Sequence, residues 1–66
     1  MKLHILQDVV TILSKYLSPT ERIIESAEHY IVYLCQVDGV SLDDIEKLVQ
    51  LGVHVDQEYN CFFFFP

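Results

Sequence analysis

The side chains of this chain with the greatest capacity for chemistry are three histidines, His4, His29 and His54, and two cysteines, Cys35 and Cys61. Zinc ligands usually come in pairs two to five residues apart, a spacing that lets one turn present both donors, and no two of these five are that close. The expectation is therefore no metal and no cofactor, with His4 and His29 on solvated helix surfaces and both cysteines packed as small hydrophobes. Asp43 and Asp44 are adjacent carboxylates, but neighbours on a helix diverge by about 100°. A place in the first turn of a helix, where the dipole favours acids, accounts for both. With only two glycines, each placed to stop a helix, the chain has no phosphate-cradling loop, and it has no nucleophile elbow or HExxH. The sequence reads as non-enzymatic, with no catalytic residues.

Acidity is the next feature. Ten acids against four bases give a net charge of −6, which repels phosphate backbones and anionic membrane surfaces. Glu21, Glu25 and Glu28 fall at i, i+4 and i+7, so on a helix they would share one ridge, with Asp43 and Glu46 on a further helix. Such a ridge would dock a protein with a basic surface. Carried further, it would mimic nucleic acid against a host protein.

These groups need elements to position them, and periodicity predicts a mainly α single domain, 1–66, of three helices with a short C-terminal β-hairpin or strand. From residue 3 to 17, Ile5, Leu6, Val9, Val10, Ile12, Leu13, Tyr16 and Leu17 segregate onto one side, predicting the first helix. Ser18-Pro19-Thr20-Glu21 has the form of a capping box with proline at the first helical position, and predicts a second helix over about 19–37. From Tyr30 to Cys35 this segment is apolar all round, so Val32 and Tyr33 would project from a face that ought to be wet. Asp38-Gly39 then ends it. Ser41 caps a third helix over about 42–51, with Val40 stapling against Ile45, and Gly52 and Val53 closing it in a Schellman ending.

Beyond residue 53 the period changes to alternation, and Val53-His54-Val55 and Tyr59 to Phe65 read as a hairpin around Asp56-Gln57-Glu58. Phe62, Phe63, Phe64 and Phe65 are consecutive. Neighbours on a strand point to opposite faces, so one small core cannot cover all four. With 52% of 66 residues hydrophobic, the apolar supply exceeds what so small an interior can shelter. The expected cover is a second copy of the chain, a homodimer meeting through Tyr30, Val32, Tyr33, Phe62, Phe63, Phe64 and Phe65.

The segment Gly39 to Val53, a short capped helix after a glycine turn, resembles half of a helix-turn-helix in outline. That resemblance implies a transcription-linked factor, although the segment after Gly52, His54-Val55-Asp56-Gln57-Glu58, lacks the arginines and lysines that meet phosphates. In general make-up the chain is similar to the small acidic accessory proteins of temperate phages and mobile elements. The absence of a basic leader before an apolar stretch, and of any apolar run of membrane-spanning length, reads as cytoplasmic with reduced thiols. The function expected is a regulatory or inhibitory adaptor that binds a protein, without direct nucleic-acid or membrane contact.

Overall fold

The computed structural model describes all residues, Met1–Pro66, and its order of elements is α1 (Leu3–Leu13), β1 (Ile24–Glu28), β2 (Ile31–Gln36), α2 (Leu42–Gln50), β3 (His54–Asp56) and β4 (Cys61–Phe64). The four strands form one antiparallel sheet in the order β1-β2-β4-β3. Two hairpins are thus laid side by side, with α2 carrying the chain across from β2 to β3. The expected mainly α, three-helix architecture is overturned: the protein is α+β, with two helices and a four-stranded sheet.

The difference lies in residues 19–37. Ser18 and Glu21 form half of a capping box, Glu21 Oε1 accepting from Ser18 N–H at 2.8 Å, while Glu21 N–H donates to the Ser18 C=O at 3.1 Å and not to its hydroxyl. These bonds close a turn, and no helix follows. Ile31, Val32 and Tyr33 are β-branched or aromatic and suit a pleated surface. The run is apolar on both sides, and β2 turns Val32 and Leu34 to the core while laying Tyr33 beside Phe63 on the other face. Glu28 pairs with Ile31, leaving His29 and Tyr30 as a two-residue turn, both at positive φ (48° and 68°), as a type I′ hairpin turn requires.

The first helix also ends four residues early, at Leu13. Ser14 Oγ donates to Thr11 C=O at 2.9 Å, a local bond that competes with the helical ladder. The next two amides bond three residues back, Lys15 to Ile12 and Tyr16 to Leu13, which tightens the turn and carries Tyr16 toward α2. The second helix is closed at both ends by its own residues. Ser41 Oγ accepts from Asp44 N–H at 3.2 Å, and at the other end Val53 N–H reaches Leu48 C=O (2.9 Å) while Gly52 N–H reaches Val49 C=O (3.0 Å). Gly52, at φ 97°, takes the left-handed conformation that this Schellman ending demands.

Both helices lie on one face of the sheet. Val9 and Leu13 of α1, Leu48 of α2, and Leu34, Cys35, Val53, Phe62 and Phe64 form a single buried cluster. Strand β1 lies outside this cover and is exposed along its whole length. The opposite sheet face carries no helix.

Candidate functional site

Alternation along the strands sorts their side chains between the two faces. Phe62 and Phe64 point into the core, and Val32 packs half-buried against it. Phe63 and Phe65 therefore point the other way. Register lines up Ser26, Tyr33, Phe63 and His54 in one row across all four strands, with Asp56 opposite Cys61 and Cys61 opposite Gln36 in the next.

On this open face the rings touch. The Tyr33 and Phe63 centroids are 6.1 Å apart, His54 stacks on Phe63 at 5.2 Å, and Phe65 meets Phe63 and His54 edge-on at 5.8 and 5.7 Å. These are attractive aromatic geometries, so the platform holds its own shape. Its β3–β4 half is aromatic along the row of His54 and Phe63, with Phe65 beyond it, and carries one carboxylate, Asp56, in the next row beside Cys61. Its β1–β2 half is acidic, since Glu25 sits at a bulge between Ile24 and Ser26 and Glu28 ends the strand. Tyr59, exposed in the β3–β4 turn, faces the same half. That turn is fixed by Asp56, whose Oδ1 accepts from the amides of Glu58 (2.9 Å) and Tyr59 (3.1 Å). Partial burial raises the Tyr33 hydroxyl above its ordinary pKa, and the negative charges of Asp56 and Glu28 add to the rise. Cys61 is likewise pushed up, by burial first and then by Asp56.

Of the expected dimer-contact residues, Tyr33, Phe63 and Phe65 lie on this face, while Tyr30 stands almost fully exposed at the tip of the β1–β2 turn. Phe62, Phe64 and Val32 belong to the interior side. The five acids disperse. Glu21 is held in the Ser18 turn, Glu25 and Glu28 flank β1, and Asp43 and Glu46 lie exposed on α2. A strand advances about 3.3 Å per residue, so the single helical ridge of Glu21, Glu25 and Glu28 does not exist. Nor does a helix follow Gly52: the segment expected to resemble a recognition helix is strand β3.

Two placements lay outside the sequence reading. His54 joins the aromatic row, a position signalled by its alternation with Val53 and Val55. Asp44, one of only ten buried residues, anchors a polar clasp. Its carboxylate accepts from the Tyr16 hydroxyl and pairs with Lys15 Nζ at 2.8 Å, with Lys47 farther off at 3.9 Å. The Tyr16 oxygen in turn accepts from Ser41 N–H at 3.3 Å. Hydrogen bonds from Lys15 and Tyr16 hold the Asp44 carboxyl below the usual carboxylate range, and Asp44 raises Lys15 above its own. No buried side-chain polar atom of the clasp lacks a partner, and its effect is to fasten the end of α1 to the start of α2.

No three of the chain's histidines, cysteines and acids gather closely enough to hold a metal ion, and no helix is long and apolar enough to cross a membrane. Compared with family models, curated proteins and solved structures, the chain gives no match.

Proposed function

We propose that the chain is a small non-enzymatic protein-interaction module that works as a homodimer, two copies stacking the β3–β4 halves of their open sheet faces. The observation that carries this reading is the platform of Phe63, Phe65, His54 and Tyr33, which no element of the same chain covers. Two open sheet faces pack about 10 Å apart with interdigitated side chains, and a twofold axis lets one patch serve both partners. Ile31, half-buried, and Tyr30 at the turn extend the patch toward Phe65. Its role is that of a regulatory or inhibitory adaptor of the phage or mobile-element kind, and the two free cysteines agree with a reducing, cytoplasmic setting.

The rival reading, an acidic mimic of nucleic acid, is less well supported because its acids are dispersed over a turn, an edge strand and a helix. The test is sedimentation of the full chain over a range from low to several hundred micromolar. The unaltered protein should sediment as a dimer, and Phe63→Ser with Phe65→Ser should sediment as a folded monomer. A compact monomer throughout for the unaltered protein would overturn the proposal.

A further inference from the structure

The acidic half of the open face contains a groove of about 500 Å³, bounded by Glu25, Glu28, Tyr33, Gln36, Tyr59 and Cys61. No base lines it. The ion pairs of the chain are both made by Asp44, so neither Glu25 nor Glu28 is in one, and the base nearest in sequence, Arg22, lines a different pocket beside Glu25. Tyr59 is 65% exposed and Tyr33 half-buried, and neither hydroxyl is engaged by another side chain. Two aromatic rings and two unpaired carboxylates around one groove favour a planar cation, which can stack on a ring while its N–H groups fork onto a carboxylate. A guanidinium meets both requirements, whereas an ammonium is a compact, strongly hydrated point charge.

We propose that this groove binds an arginine side chain from a basic segment of a partner protein. The inference rests on the open face being the working surface, and it divides that face by chemistry. A second copy of this acidic chain suits the aromatic row, which holds no carboxylate, because at the groove its own carboxylates would face like charge. A basic partner suits the glutamate half. The dimer would then offer one arginine site on each protomer.

The test is a titration of the isotopically labelled full chain with a short peptide alternating arginine and glycine, read by amide and aromatic chemical shifts. Saturable shifts are expected at Ser26, Tyr33, Tyr59 and Cys61, with weaker binding of the lysine analogue. Glu28→Gln and Tyr59→Ala should each weaken binding by about tenfold. Asp43→Asn, which removes the same charge from α2, should change it by less than about twofold. Equal weakening by Asp43→Asn would reduce the effect to net charge and overturn the proposal. Shifts confined to Phe63 and Phe65, shifts at Ser26 and Tyr59 that appear on concentrating the protein without peptide, or no saturable shift at all would also overturn it. Sedimentation of the peptide-free protein reads the other proposal separately. A monomer with groove shifts removes the dimer and keeps the arginine site, and a dimer without them does the reverse.

Discussion

Asp44 shows how one residue can serve two structural purposes. Its amide completes the cap of α2, and its buried carboxylate collects the Tyr16 hydroxyl and Lys15 from the end of α1. Because the folded carboxyl titrates below its ordinary value, its contribution to stability is complete above the usual carboxylate range and is lost as pH falls through the depressed folded value. Lys15 has the opposite sign: its contribution is complete below the usual lysine range and is lost as pH rises through the raised folded value. Asp44→Asn should therefore lower the melting temperature at neutral pH and flatten its decline in acid. Thermal melts from neutrality down to about pH 3 check this, and an unchanged acid limb would refute it. Tyr16→Phe and Asp44→Asn should combine non-additively, since each removes the same contact. Neighbouring phenylalanines should differ as sharply. Phe62 is fully buried, so Phe62→Ala should cost about 3–5 kcal/mol in urea unfolding. Phe65→Ala, at a position 56% exposed, should cost less than about 1 kcal/mol when measured on the monomer.

At the scale of elements, the β1–β2 hairpin is the part whose local sequence least agrees with its structure. Its turn places histidine and tyrosine at positive φ, where asparagine and glycine are at ease. His29→Asn with Tyr30→Gly should stabilise the fold by about 1 kcal/mol in chemical denaturation, and a destabilised double variant would contradict the turn assignment. The same mismatch explains why this hairpin was illegible in the sequence. Without glycine or asparagine between Glu28 and Ile31 nothing marked a reversal, and Ser18-Pro19-Thr20-Glu21 imitated a helix start. The all-apolar run Tyr30 to Cys35 fits a central strand as well as a buried helix, so periodicity could not arbitrate. In α2, by contrast, cap, first-turn acids and Schellman ending are all local, and each was readable from its own few residues. The tail was readable for a similar reason: alternation put Phe62 and Phe64 opposite Phe63 and Phe65 whatever they packed against. The open face was not readable as a surface, because it exists only when β2 and β4 lie side by side, and the misread hairpin supplies one of them.

Taken as a whole, the molecule offers a second copy its open face and the edge of β1, the other edge, β3, being only three residues long, and charge decides between the first two. The free edge of β1 offers unpaired backbone groups, but a bulge interrupts it and Glu25 and Glu28 would meet their own counterparts across a twofold axis. The aromatic row of the open face carries no carboxylate to guard it. Two chains of net charge −6 repel at long range however they meet, so screening by salt should help self-association, and burial of Phe63 and Phe65 is itself insensitive to screening. Arginine binding in the groove depends on carboxylates and should weaken over the same range. Sedimentation and peptide titration, each at low and at about 1 M salt, should therefore move in opposite directions, the dimer holding or tightening while the peptide complex loosens. Loss of the dimer at high salt would mean that ion pairs join the copies. That result would remove the aromatic face as the contact, since burial of its rings does not depend on screening.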